Sequence, residues 1–197
     1  MKVNEIFKSI QGEGRYAGQP VLFIRTSGCT RACTFCDTKY HTNGKEMSVK
    51  QVVKAIKDSG MDTVVWTGGE PMLWEQEIYK VILEDAVKNH HLETNGDILP
   101  QSPDSFDYIA FSPKEKRTSI NVLAYSLQTS IAWDIKVVTD LEMNKNMIQY
   151  ATMLMPLSTY TKKDKKIQQN VWEYCVKHNI KYCQRVHVDV WGQSIGK

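Results

Sequence analysis

Thr63-Val64-Val65-Trp66-Thr67-Gly68-Gly69-Glu70-Pro71 is the stretch on which the reading of the fold turns. Its first four residues form an apolar run too short for a helix and rich in the side chains that pack well on a pleated surface. The run stops at paired glycines. A helical pattern follows from about Trp74 to Lys88. The unit is therefore a buried strand, a polar turn and a helix.

The same unit recurs on both sides. Upstream, Val21-Leu22-Phe23-Ile24-Arg25 reads as a strand. Ser48-Val49-Lys50-Gln51 then opens a helix with a capping box, and Val52, Val53 and Ile56 give it an apolar face ending near Gly60. Downstream, His91–Thr94 reads as a strand ending at Asn95-Gly96, and Tyr108–Phe111 as another ending at Ser112-Pro113. Further strands are expected over Ile131–Val138, Thr152–Met155 and Val186–Trp191, with a helix from about Lys163 to His178. Alternating strands and helices predict an α/β fold with a largely parallel sheet. The 197 residues fall short of a full eight-stranded α/β barrel, which takes about 250. A partial (open) parallel α/β barrel fits better. Ligands of such sheets bind at the carboxyl ends of the strands. The turns Thr67–Glu70, Glu93–Gly96 and Ser112–Lys114 are therefore expected to line one site.

Composition sets the outer bounds. Apolar residues make up 42% and charged residues 24%, as in an ordinary globular protein, and one domain over 1–197 is expected. A net charge of +3 is too small to argue for nucleic acid. The basic run Lys162–Lys166 contains Asp164 and reads as a solvated helix face. No apolar run is long enough to span a membrane, and the first residues lack a signal-peptide core, so a cytoplasmic location is the default expectation. The five cysteines are odd in number, and three of them fall within eight residues, which does not resemble a disulfide framework.

Those three lie in Cys29-Thr30-Arg31-Ala32-Cys33-Thr34-Phe35-Cys36. A 4Fe–4S cube is normally held by four thiolates. Three leave one iron open to a small molecule. The competing reading is zinc, which takes four protein ligands in structural sites, with Cys175 or Cys183 as the fourth. Both of those cysteines otherwise read as packing residues.

The Cys-x-x-x-Cys-x-x-Cys motif, with Phe35 before its last cysteine, resembles the radical S-adenosylmethionine (SAM) superfamily. Gly68-Gly69-Glu70-Pro71 resembles that superfamily's GGE motif. The resemblance implies a barrel of the radical SAM type and a 4Fe–4S cluster on Cys29, Cys33 and Cys36. It also implies SAM bound near Phe35, Asp37, Gly69, Glu70, Glu93, Asn95, Ser112 and Lys114.

The opening Asn4-Glu5-Ile6-Phe7-Lys8-Ser9-Ile10-Gln11-Gly12-Glu13-Gly14 narrows the resemblance, as do Gly18-Gln19-Pro20, Phe23-Ile24-Arg25 and Cys36-Asp37-Thr38-Lys39. They are similar to the 7-carboxy-7-deazaguanine synthase family, which converts 6-carboxy-5,6,7,8-tetrahydropterin with loss of ammonia, for queuosine and other 7-deazapurines. The resemblance implies substrate contacts at Ile10, Gln11, Gly12, Glu13, Arg25, Thr67 and His187, and Mg2+ at Thr38. It further implies a homodimer and a one-electron donor such as flavodoxin. Chemically, Arg25 offers a planar donor fork for a carboxylate or carbonyl edge. Glu13 can accept from ring N–H groups, and Gln11 can donate and accept. Read alone, Gln11–Gly14 is an ordinary polar turn and Arg25 a strand-end surface residue. His187 is either substrate-facing or a core histidine. His187, Trp191 and Gly192 match the family near the C-terminus, whereas Ser194-Ile195-Gly196-Lys197 departs from the relatives that end in proline. Two other functions fit part of the pattern. One is an activase that makes a glycyl radical on a partner enzyme, which would not need the Gln-Gly-Glu-Gly opening. The other is a zinc-binding module without catalysis.

Overall fold

Alternate residues of each central strand go to opposite faces of one sheet, and that alternation builds both the core and the cavity. The computed structural model describes residues 1–34, 36, 42–85, 89–192, 194 and 196. The strands are β1 (Lys2–Ile10), β2 (Pro20–Thr26), β3 (Lys45–Glu46), β4 (Thr63–Gly68), β5 (Asn89–Thr94), β6 (Tyr108–Phe111), β7 (Ala132–Thr139), β8 (Met153–Pro156) and β9 (Lys181–Tyr182). The α-helices are α1 (Val49–Ser59), α2 (Glu75–Glu84), α3 (Lys116–Ser126), α4 (Asp164–His178) and α5 (Val186–Trp191).

The strand order is β3-β1-β2-β4-β5-β6-β7-β8-β9. From β2 through β9 the neighbouring pairs are parallel, while β1 runs antiparallel to β2 and to β3. The fold is thus α/β with a mostly parallel, open sheet. On the helix-covered face, Ile24, Trp66, Leu92, Ile109, Ile135 and Leu154 join Val52, Ile56, Ile78, Val81, Val122 and Val171 of the helices in one buried core. On the other face stand Arg25, Thr67, Glu93, Ala110 and Lys136, all of which line a cavity.

Local sequence accounts for the helix that covers the first strands. Ser48 Oγ accepts from the Gln51 N–H while Gln51 reaches back to the Ser48 N–H. Gly60 ends α1 with φ +67°, a conformation that glycine adopts without a Cβ clash. Pro71–Trp74 forms a 3-10 turn before α2. Of the helix expected up to Lys88, residues 86–88 lie outside the described part.

The expected strand Val186–Trp191 is a helix, α5. Its alternating valines suit a strand, but pairing on β8 has ended: after Cys183 N–H bonds Leu154 O, the chain turns away and Val186 N–H bonds Gly12 O. No ladder is left to hold an extended segment, and tertiary contact overrides propensity. Beside the two-residue strands β3 and β9, two longer elements went unread. One is β1, on the antiparallel side of the sheet. The other is α3, whose buried face is Thr118, Ser119, Val122 and Ser126. Small polar residues give that helix little apolar periodicity to detect.

Candidate active site

The cavity, of about 270 Å³, opens between the cysteine loop and the inner face of the sheet. Its rim is made by the strand ends. Gly69 N–H donates to Thr26 O at 3.2 Å and Glu70 N–H to Gly28 O at 2.8 Å, so the β4 turn is laced to the chain entering Cys29. Both glycines are required by that approach. A Cβ on Gly68 would stand 2.3 Å from Thr26 O, and one on Gly69 would stand 1.8 Å from Gly28 O. Gly68 also has φ +134°.

Cys29, Cys33 and Cys36 are partly exposed, and all three line the cavity. Burial raises the Cys29 pKa, and nearby Glu70, Cys33 and Cys36 add to that, while an N–H from Arg31 opposes it. Among the described residues, no three His, Cys, Asp or Glu side chains converge on a single metal ion. A cube differs in its demand: each thiolate binds a separate iron, so the sulfurs stand apart around a larger object. Three thiols spaced along one loop at the mouth of a cavity fit such a cluster. Cys175 and Cys183 are buried. Cys175 belongs to the helix-side core, and Cys183 Sγ accepts from Gly14 N–H at 3.0 Å.

The other expected SAM contacts divide. Gly69, Asn95, Ser112 and Lys114 line the cavity near the cysteines. Lys114 donates to Ser112 Oγ at 2.8 Å, and burial lowers its pKa. Glu70 is fully buried behind the wall. Its carboxylate accepts from Met72 N–H at 3.0 Å, Thr94 Oγ1 at 2.7 Å and Asn95 N–H at 2.8 Å. This side chain braces the turn that carries Gly68-Gly69 and ties it to the end of β5. Glu93 meets the first residue of the Thr67–Glu70 turn. It accepts from Gln11 Nε2 at 3.0 Å and Thr67 Oγ1 at 3.1 Å, in company with residues expected to touch substrate. Phe35, Asp37 and Thr38, expected at SAM and Mg2+, lie outside the described residues.

The inner end of the cavity carries charge. Because β1 is antiparallel, Gln11–Glu13 enter from the amino end of β2, where Ile10 pairs with Pro20. The site therefore runs from the carboxyl-edge turns down along the sheet. It is not confined to those turns, as the strand-end argument alone would have it. Ile10, Gln11, Gly12, Glu13, Arg25, Thr67 and His187 all line the cavity. Glu13 bonds Lys136 Nζ and, at 3.2 Å, Arg185 Nε; His187 Nε2 stands 3.8 Å away. Burial pushes the Glu13 carboxyl up, but Lys136 and Arg185 together outweigh it and hold the group well below the usual carboxylate range. Burial opposes charge on Lys136 too, but Glu13, Glu93 and Cys183 together outweigh it and raise the lysine's pKa, so it stays protonated. A Cβ on Gly12 would lie 2.2 Å from His187 Nδ1, so glycine there admits the imidazole to the cavity. Arg25 Nε bonds Glu5 Oε2 at 2.9 Å and stacks over Phe7, half-buried rather than on the surface.

Lys136 and Arg185 were not singled out from sequence. A signal existed for the first: Asp134-Ile135-Lys136-Val137 alternates charge with apolar side chains, the mark of a strand with one polar face. None existed for Arg185, which reaches the site through the turn into α5. Below the cavity Asp134 accepts from Arg15 at 2.8 Å, Tyr108 at 3.1 Å and Thr152 at 2.8 Å. Tyr16 packs on His91 and Tyr108 with ring centroids 4.4 and 5.0 Å away. The 11–19 turn thereby plugs the amino end of the sheet.

Comparison with known proteins bears on this arrangement. Residues 23–159 match the model of the radical SAM superfamily. A 7-carboxy-7-deazaguanine synthase of Pyrobaculum aerophilum is 30% identical over 217 residues, covering 100% of this chain and 97% of that one. One of Bacteroides thetaiotaomicron is 42% identical over 114 residues, covering 58% of this chain and 61% of the relative. Among solved structures, QueE from Escherichia coli superposes with a TM-score of 0.61 at 20% identity, covering 94% of each chain, a likeness of fold.

Proposed function

The chain belongs to the radical SAM superfamily and, within it, to the 7-carboxy-7-deazaguanine synthase family, and from that membership we propose how its cavity works. The chain acts as one domain that converts 6-carboxy-5,6,7,8-tetrahydropterin to 7-carboxy-7-deazaguanine with release of ammonia. The observation that carries the reading is a single cavity with three thiols at its mouth and a polar, charge-paired inner end. Cys29, Cys33 and Cys36 hold the 4Fe–4S cluster. Gly69, Asn95, Ser112 and Lys114, with Phe35 and Asp37, hold SAM. When bound, cluster and SAM together supply a one-electron reduction and an organic radical that removes a substrate hydrogen atom.

The rest of the site binds and orients. The substrate is a flat, polar bicycle with a carboxylate, so it needs donors and acceptors at several edges. Gln11, Thr67 and Glu93 form one hydrogen-bonded set along one wall. Here Glu93 serves the substrate rather than SAM, because its two oxygens accept from Gln11 and Thr67, both expected at the substrate. Lys136, Arg185 and His187 surround Glu13. Removal from water strengthens such charges and fixes their direction. Arg25, braced by Glu5, presents its guanidinium from β2. Thr38 is the proposed Mg2+ ligand, and a homodimer served by a flavodoxin-like donor is the expected working form. Among the described residues no helix is long and apolar enough to cross a membrane.

The direct test is anaerobic reconstitution with iron and sulfide, followed by incubation with SAM, Mg2+, a reductant and the carboxylated pterin. Mass spectrometry should find the deazaguanine acid, with ammonia released in equal amount. A loaded cluster that cleaves SAM but leaves the pterin unchanged would overturn the substrate assignment.

A further inference from the structure

Asn95 is held in one orientation just beyond β5. Its Oδ1 accepts from the backbone N–H of Asp97 at 2.8 Å, which turns the amide nitrogen the other way. That nitrogen carries two hydrogens. One goes to Thr30 Oγ1 at 2.9 Å, and the other is directed to Cys29 Sγ at 3.9 Å. A flipped amide would set its NH2 against the Asp97 N–H, so the donor assignment follows from the network.

The network is itself anchored. Thr30 donates to Asp97 Oδ2 at 2.7 Å. Arg31 grips both oxygens of Asp97, Nε at 2.7 Å and the terminal nitrogen at 2.5 Å, and Glu115 meets Arg31 at 3.1 Å. Two residues of the cysteine loop, the segment after β5 and the start of α3 are tied into one unit. Asn95 itself is buried.

We propose that Asn95 sets the reduction potential of the cluster by donating a hydrogen bond to the Cys29 thiolate, an inference that rests on Cys29 being a cluster ligand. The step concerned is uptake of one electron by the oxidised cube from a one-electron donor; no bond is made or broken. The added negative charge spreads onto the sulfurs. A donor already aimed at one of them stabilises the reduced form more than the oxidised form, and so raises the potential. The geometry makes Asn95 a tuning residue placed before any ligand arrives.

The test uses the full chain reconstituted with iron and sulfide, with iron and sulfide content measured first. A dithionite titration in the absence of SAM is then followed by electron paramagnetic resonance. Asn95→Leu removes the donor and keeps the bulk. Its midpoint should move to more negative potential by about tenfold in the redox equilibrium, which is about 59 mV for one electron. Asn95→Asp keeps the oxygen that accepts from Asp97 and replaces the donor with charge; its shift should have the same sign and be larger. Unshifted midpoints in both loaded variants overturn the proposal. Failure of both to load a cube that the wild type loads also overturns it, because Asn95 is then a brace of the loop. A wild type that takes up no cube is a different result: it removes the cluster reading on which the functional proposal stands.

Discussion

Ile135 and Lys136 are neighbours in β7, yet they live in different chemistry. Ile135 is fully buried among helix side chains, and Lys136 is buried on the opposite face against Glu13. The same contrast separates Leu92 from Glu93 in β5 and Trp66 from Thr67 in β4. One face is held by removal of apolar area from water, which is non-directional. The other is held by paired charges and directed hydrogen bonds, whose worth depends on every partner being present. The sheet therefore carries non-directional packing on one side and directed, mutually dependent pairs on the other, with a change of one residue deciding which.

The sharpest way to break this contrast is Lys136→Met. Removing one partner leaves Glu13 deprived of a neighbour in a buried setting, which typically costs about 3–5 kcal/mol. Denaturant unfolding should show that loss with an unchanged slope; a loss under 1 kcal/mol would mean that water already screens the pair. Next in size is a matched pair in β5. Leu92→Ala should cost about 2–5 kcal/mol of stability and leave the affinity of the folded protein for the pterin unchanged. Glu93→Gln should do the reverse: near-wild-type unfolding, but weakened pterin binding by calorimetry. Equal effects on stability and binding in both variants would erase the distinction between the faces.

Acid sharpens the comparison further. His90 is on the helix side and accepts from Trp66 Nε1 at 3.1 Å, which requires a neutral ring nitrogen. Burial pushes its pKa down from 6.5 to about 4. The unfolded chain takes up a proton in that window and the folded chain does not. Stability is therefore full above the unfolded value and falls with pH by up to about 1.4 kcal/mol per pH unit. His91, also lowered by burial, adds to the same trend. Urea unfolding from pH 7 to pH 4 should show a slope that His90→Gln reduces; an unaltered slope would place the proton uptake elsewhere. The smallest expected effect is on the covering layer. Ser48→Ala removes the cap of α1 and should cost about 1 kcal/mol, read by thermal unfolding, with cluster loading intact.

Much of this was legible one strand at a time. Short apolar runs ending in polar turns announced a parallel α/β sheet, and Ser48 with Gln51 announced the start of α1. The cysteine spacing and the paired glycines carried the rim of the site, since both are local: three thiols on one loop, and two residues without Cβ where backbone meets backbone. What failed had non-local causes. The valines of Val186–Trp191 suited a strand, but the ladder beyond β9 was missing. The small polar face of α3 hid its period. Lys136 and Arg185 sit far apart in sequence and meet only through Glu13.

The sequence by itself therefore determined the class of fold, the thiol set and the glycine turn, because each is written within a few residues of chain. Only the tertiary structure decided that Glu93 sides with Gln11 and Thr67, that Glu70 is a buried brace, and that Lys136 and Arg185 flank Glu13. Thr67, Glu93 and Lys136 depend on strand register, since a shift of one residue would send each to the opposite face, whereas Glu70 and Arg185 are placed by turns that form only when distant segments meet.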